Sequence, residues 1–189
     1  RKLKDQLNSN QPYRERMCRE LLAVENGFEK VEPRLPKGGP DGGRDVQCSY
    51  QGLLCFGAVG FVNDASDSVQ HRSQIEQKFK DDLASGLKNA SEEGLELKAF
   101  VFLTNEGLTP TIRNQLLRHS GDEGIDHCVV YDREILASML DRPTGYAIRF
   151  RYLDIKLKDA EQFDIFNALN SKIDALAEQI AKEKKRSLP

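Results

Sequence analysis

The feature that most constrains this chain is the glycine-rich segment from Gly38 to Val46. It holds four glycines, one proline and two aspartates in nine residues. Glycine permits positive φ and close backbone approach, and proline stiffens the entry to a turn. The segment therefore predicts a rigid turn that delivers Asp45 at the start of a strand over 45–50. A carboxylate held in this way suits a magnesium ligand. The alternative is that Asp45 only caps an ordinary turn.

The rest of the sequence alternates between helical and strand patterns, which predicts an α/β fold in layers. Thr109-Pro110 is a typical helix start, because threonine caps and proline occupies the first turn. Helices are predicted over 11–26, from Ser66 or Asp67 to Lys88, over 110–119 and over 132–140. Strands are predicted over 28–32, 45–50, 53–62, 97–103 and 125–131, with a last strand or extended segment over 146–155.

A final helix over about 160–186 carries an apolar heptad seam. We therefore divide the chain into a domain over 1–155 and a C-terminal helix over 156–189. The helix is predicted either to form a homo-oligomer or to pack as an amphipathic helix on its own domain. Its basic end, 182–186, is interpreted as a solvated tip or a linker. The seam residues, spaced 3, 4, 3 and 4 apart, are Phe166, Leu169, Ile173, Leu176 and Ile180.

The bulk composition excludes few function classes. The chain has 189 residues, of which 39% are hydrophobic and 31% charged, with a formal charge of −2. A balanced total does not exclude a nucleic-acid partner, because binding needs only a local basic face. No apolar run approaches the roughly 20 residues that span a bilayer. No signal peptide is recognisable, so we expect a cytoplasmic protein with no membrane partner.

The four cysteines are interpreted as buried free thiols of a reducing compartment, because they lack CxxC spacing. The alternative is a zinc site made by two of them, Cys48 and Cys55, with one of the three histidines. The remaining cysteines are Cys18 and Cys128, and the histidines are His71, His119 and His127.

The order of motifs resembles a known family of nucleases. Glu15 lies six residues before Leu21-Leu22, and the glycine-rich segment contains the sequence Asp41-Gly42-Gly43-Arg44-Asp45-Val46. Together with the later strands and helices, these pieces resemble the Mrr-type branch of the PD-(D/E)xK restriction-endonuclease-like superfamily, and 41–46 looks like its DGGxD element. The resemblance covers roughly 13–140. Its other elements are Gly27-Phe28, Phe100 to Thr104, Leu108-Thr109, Gly124-Ile125, Tyr131-Asp132 and Ile135 to Leu140.

The resemblance implies a restriction-endonuclease-like mixed sheet flanked by helices, and hydrolysis of DNA with Mg²⁺ or Mn²⁺. It implies Asp45 as the main metal ligand, Glu15 as a second ligand and Asp41 as a reserve. The alternative for Glu15 is a solvated residue on a charged helix. Domains of this family are often prokaryotic defence effectors fused to a sensor module, so the resemblance also implies a further domain outside this sequence.

The chain departs from the family on the third strand. The family carries Glu-x-Lys or Gln-x-Lys there, whereas the segment 56–61 holds neither acid nor lysine. The nearest such motif is Glu76-Gln77-Lys78, on the following predicted helix. Either Lys78, or else Lys80, has taken over the lysine's role, or the site is degenerate and the fold serves DNA binding or oligomerisation. A plain surface role is the further alternative for both lysines. Asp64 or Asp67 could replace the missing acid, although Asp67 also suits a helix cap.

Overall fold

The computed structural model describes residues 10–33 and 45–186, and these contain six helices and five strands. The chain divides into two compact units, one ending at Leu153 and the other beginning at Asp154. In chain order the elements are α1 (Gln11–Val24), β1 (Phe28–Pro33), β2 (Val46–Tyr50), β3 (Leu53–Val59), α2 (Val69–Glu92), β4 (Ala99–Leu103), α3 (Pro110–Asp122), β5 (His127–Tyr131), α4 (Arg133–Leu140), α5 (Tyr146–Leu153) and α6 (Asp159–Arg186).

The strands form one mixed sheet in the order β1-β2-β3-β4-β5. The first three strands are antiparallel, and β4 and β5 run parallel to β3. A two-residue turn joins β2 to β3, with φ of 50° at Gln51 and 83° at Gly52, as the twist of a tight hairpin requires. The predicted α/β class is confirmed as a five-stranded mixed sheet flanked by helices.

Helices cover both faces of this sheet. On one face, α2 and α3 enclose a core that contains Phe56, Phe79, Phe100 and Phe102. The ring of Phe79 meets those of Phe100 and Phe102 edge-on, with centroids 5.6 and 5.3 Å apart. On the other face, α1 packs against β1, β3 and α5. None of the helices in the described ranges is long and apolar enough to cross a bilayer.

Two local predictions are wrong. The cap of α2 is Ser68, whose side chain accepts a hydrogen bond from the His71 N–H, and not Ser66 or Asp67. The segment predicted as a strand or extended segment over 146–155 is instead the helix α5, Tyr146–Leu153. Its aromatic and β-branched content favours a strand, but its buried residues recur at the three- and four-residue spacing of a helix. These buried residues are Tyr146, Ile148, Arg149, Tyr152 and Leu153.

The second unit is dominated by α6, which carries the predicted heptad seam. All five seam side chains are exposed, from 51% at Leu169 to 64% at Ile180. Phe163, one turn before the seam, is also 65% exposed. The first turn of α6 is acidic, with Asp159 and Glu161.

Candidate functional site

Asp45 is fixed by main-chain hydrogen bonds to the third strand. Its N–H donates to the carbonyl oxygen of Gly57 at 2.8 Å, and its Oδ2 accepts from the N–H of Val59 at 2.6 Å. The residue directly precedes β2, which is paired with β3 along its whole length. The carboxylate is therefore held at the end of the β2–β3 hairpin furthest from its turn. The predicted position of Asp45 at the start of a strand is confirmed, whereas the predicted glycine-rich turn over 38–44 lies outside the described residues.

The surroundings of Asp45 make its negative charge costly. Burial raises the pKa of this carboxyl to about 7, although the hydrogen bond from Val59 lowers it. The charge of Glu15 raises this pKa further, that of Lys78 lowers it and that of Asp82 raises it. Side chains from α1 and α2 thus act electrostatically on one carboxylate at the start of β2. Such a perturbed carboxyl is typical of functional sites.

Lys78 and Asp82 form an ion pair on the inward side of α2. The Nζ of Lys78 lies 2.9 Å from Oδ2 and 3.1 Å from Oδ1 of Asp82. Asp82 is buried, whereas the side chain of Lys78 is 42% exposed. Burial raises the pKa of Asp82, and the ammonium of Lys78 only partly offsets that effect. The predicted alternative lysine, Lys80, is exposed.

Asp82 was not predicted as a site residue from the sequence. The signal was present, because Asp82 follows Phe79 by three residues and precedes Leu83, and both of these are fully buried. A carboxylate on the buried face of an amphipathic helix needs a partner or a function. Its spacing of four residues from Lys78 places both side chains on the same helix face.

Glu15 lies on α1 and is half-buried. Burial raises the pKa of the nearby Cys18 thiol, and the charges of Asp45 and Glu15 raise it further. Glu15 and Asp45 therefore share one acidic environment. Asp41, the predicted reserve ligand, lies outside the described residues.

The third strand, and Gly60 directly after it, leave no room for the acid and lysine of the restriction-endonuclease-like motif. Ala58 and Val59 are fully buried. A Cβ added at Gly60 would lie 2.3 Å from the ring of Phe102, and a Cβ added at Gly57 would lie 3.1 Å from the Val101 side chain. Packing in the core has closed the space where charged side chains would stand.

The carboxylates suit a hard cation such as Mg²⁺. In the described ranges, no three His, Cys, Asp or Glu side chains are grouped closely enough to hold an ion together. Mg²⁺ commonly uses only one or two carboxylates and keeps several waters. Asp45, on which the charge of Glu15 acts, is a carboxylate of the kind that such a site uses. A cation there would also relieve the cost of ionising Asp45, because Glu15 and Asp82 add negative charge.

Asp67 belongs to a different polar network. Its two oxygens accept hydrogen bonds from Arg133 at 2.8 and 2.6 Å, and Oδ1 also accepts from the Gly107 N–H at 2.7 Å. Burial alone would raise the pKa of Asp67, but the hydrogen bonds from Arg133 and Gly107 outweigh it and lower the pKa to about 2. The Asp67 carboxylate therefore links the segment before α2 to Gly107 and to the start of α4, and Arg133 already neutralises its charge.

The cysteines give no support to the zinc alternative. Cys48 and Cys55 face each other across β2 and β3, and both are buried. The described residues contain no three-residue cluster of metal-binding side chains. All four cysteines are free thiols, as the sequence predicts, with only Cys128 partly accessible.

The sequence matches no protein-family model, and no curated protein is similar enough to count as a relative. The resemblance to the restriction-endonuclease-like family therefore depends on the motif residues of the sequence alone.

Proposed function

We propose that the chain is a divergent, metal-dependent nuclease that hydrolyses DNA phosphodiester bonds. The observation that carries the proposal is the buried Asp45 carboxylate, on which the charges of Glu15, Lys78 and Asp82 all act. Burial is the main cause that raises its pKa to about 7. These residues come from three elements that are far apart in the sequence. A structural role for Asp45 alone would not require two further acids and a lysine around it.

The order of the elements also supports the proposal. The resemblance implies an opening helix, a first strand, the aspartate at the next strand, a third strand beside it and then a helix and further strands. The chain follows this order from α1 to β5 in a single mixed sheet. Fold alone does not determine function, so this argument is secondary to the charged residues.

Each residue has a role that its surroundings allow. Asp45 and Glu15 would hold Mg²⁺ or Mn²⁺, which when bound would supply an activated water and charge stabilisation at the phosphate. Lys78 places a positive charge beside Asp45, where it neutralises negative charge that develops on the phosphate. Asp82 positions the Lys78 ammonium through the 2.9 Å ion pair. Because the buried helix face holds Asp82, the lysine is oriented before substrate arrives.

The direct test is the conversion of supercoiled plasmid to nicked circles by the purified 189-residue chain. We expect nicking with Mg²⁺ or Mn²⁺ and none with EDTA. RNA of matched length serves as the second substrate. Preferential cutting of RNA would show that RNA, and not DNA, is the substrate. If the chain cuts neither, the proposal is overturned.

The second candidate is a catalytically degenerate fold that serves as a DNA-binding or oligomerisation module. The closed third strand favours it, because Gly60 leaves no space for the family's lysine. Under this hypothesis the chain binds DNA, or assembles, without cutting. The same plasmid assay, run beside a gel-shift assay, separates the two functions.

The proposal extends to assembly. The exposed seam of α6 is proposed to pair with the same helix of a second copy, because an apolar stripe of this kind is stabilised by burial. Two paired chains would bring two sites to one duplex. A role as the effector of a prokaryotic defence system follows from the resemblance alone and belongs to the same proposal.

A further inference from the structure

An open groove lies on the sheet between β1 and the β2–β3 turn, and Gln47 in its wall is two residues along β2 from Asp45. It encloses a volume of about 320 Å³, at the lower end of the range of about 300 to 1,000 Å³ for small-molecule sites. Its walls combine hydrogen-bonding and apolar side chains, so the groove suits a flat polar ring better than a bare ion. The residues that line it include Lys30, Glu32, Gln47, Ser49, Leu53 and Leu54.

The groove lies one strand repeat from the candidate catalytic residue. Gln47 is the second residue after Asp45, so their Cα atoms are about 7 Å apart along the strand. Val46 and Cys48 are buried, whereas Gln47 and Ser49 are only partly buried. Alternation along β2 therefore directs Gln47 and Ser49 to the face that the groove occupies.

Lys30 reaches this groove from an irregular position in β1. The pairing of β1 with β2 shifts register between Glu29 and Glu32, and Lys30 within that bulge has a φ of 52°. A bulge of this kind re-aims a side chain and is common beside active sites. A lysine with positive φ is unusual. The bulge therefore brings the exposed ammonium of Lys30 to the groove, where a regular strand would not place it.

We propose that this groove binds one nucleobase of the nucleic-acid strand whose phosphodiester lies at Asp45. This inference rests on the proposed nuclease function and names the part of the substrate that the neighbouring surface holds. The Gln47 amide offers a donor and an acceptor in one plane, which matches the edge of a base. Lys30 adds a donor and Glu32 an acceptor, while Leu54, which lies opposite Ser49 in the sheet, gives the base an apolar contact.

The carboxylate of Glu32 argues against a phosphate as the occupant, because the two negative charges would repel each other. A base inside a duplex cannot enter a groove of this size with its edge paired. We therefore expect the groove to bind a base of a single strand, or one displaced from its partner strand.

The test measures binding without cutting. Fluorescence anisotropy with labelled 12-nucleotide homopolymers of dA, dC and dT, and with the matching RNA homopolymers, is carried out in EDTA. We expect the chain to rank the bases, and Gln47→Ala to reduce the difference between the best and worst base by about tenfold. Lys30→Ala is expected to weaken binding of the homopolymer with the highest affinity more than binding of the others. The matched controls Gln115→Ala and Lys88→Ala, which lie outside the groove, leave the ranking unchanged.

The outcomes separate this inference from the nuclease proposal. Base-ranked binding that Gln47→Ala abolishes, in a chain that cuts nothing, would support the groove and overturn the proposed function. Cutting that continues while Gln47→Ala leaves the ranking intact would overturn the groove and leave the function standing. Binding of duplex alone, or of no oligonucleotide, would overturn the groove. Melting temperatures of the variants exclude unfolding as the cause.

Discussion

The Nζ of Lys78 lies 2.9 Å from the Oδ2 of Asp82, one helical turn further along α2. The pair joins a partly exposed ammonium to a buried carboxylate, and both charges act on the pKa of Asp45. A solvated surface pair of this spacing contributes little to stability. Here the carboxylate of Asp82 is buried. We therefore interpret the ion pair as holding the Lys78 ammonium in position for the proposed reaction.

Lys78→Ala is expected to lower the nicking rate by about a hundredfold, because the charge beside the phosphate is lost. Asp82→Asn is expected to lower it by about tenfold, since the lysine remains but is no longer held. The matched control is Lys80→Ala, because two residues along a helix turn the side chain by about 200°. Initial rates on supercoiled plasmid measure all three. Equal losses from Lys78→Ala and Lys80→Ala would indicate a diffuse basic surface instead.

The raised pKa of Asp45 predicts how stability depends on pH. Its folded pKa is about 7, against an ordinary value of 3.8, so the folded chain binds the proton more tightly than the unfolded chain. Asp45 therefore lowers the free energy of unfolding as pH rises from about 4 to 7, by at most about 4 kcal/mol. The buried Asp82 acts with the same sign.

Asp45→Asn removes this dependence. We expect the variant to melt several degrees higher than the parent at pH 8, and higher by less than half of that margin at pH 5, because part of the effect is already present once the unfolded carboxyl ionises. Because the parent and the variant share the same histidines and Asp82, the difference between their melting temperatures reports the effect of Asp45 alone. Thermal melts followed by circular dichroism between pH 5 and 8 provide the measurement. A variant less stable than the parent at pH 8 would mean that the ionised carboxylate is stabilised in the fold.

Gly60 tests the closure of the third strand. Gly60→Ala puts a Cβ 2.3 Å from the buried ring of Phe102, and we expect a loss of about 1 to 3 kcal/mol in the free energy of unfolding. The control is Gly121→Ala in α3, where an added Cβ meets nothing within 4 Å. That substitution should be neutral or slightly stabilising. If both variants have the same free energy of unfolding in urea, the ring of Phe102 can move aside. A lysine could then be accommodated at this position.

Parts of the fold and site follow from local sequence, and the rest depends on packing. The glycine-rich segment and the alternation of β2 predict where Asp45 lies, and Thr109-Pro110 predicts the start of α3. The helix α5 was missed, because the spacing of its buried residues competes with their strand propensity. Asp82 was missed because its importance depends on burial and on a neighbour in space. The closed third strand depends on Phe102 of β4, which is far from Gly60 in the sequence.

The seam of α6 is expected to mediate self-association. Ile173→Asp with Leu176→Asp should convert an oligomer into a monomer, because each buried charge costs several kcal/mol unless paired. The control, Ser171→Asp with Ala175→Asp, adds the same charge outside the seam. Light scattering at high concentration gives the mass. A parental chain that is already monomeric, or a double variant that stays oligomeric, would contradict this role for the seam.

The most direct test of the central claim is the metal-dependent nicking rate of Asp45→Ala against the parent. We expect the variant to fold, as judged by its melting temperature, and its nicking with Mg²⁺ or Mn²⁺ to fall to the level of the EDTA control. Asp122→Ala, which changes an exposed carboxylate at the end of α3, should cut at the parental rate. A folded Asp45→Ala chain that nicks plasmid as fast as the parent would show that the active site does not lie at Asp45.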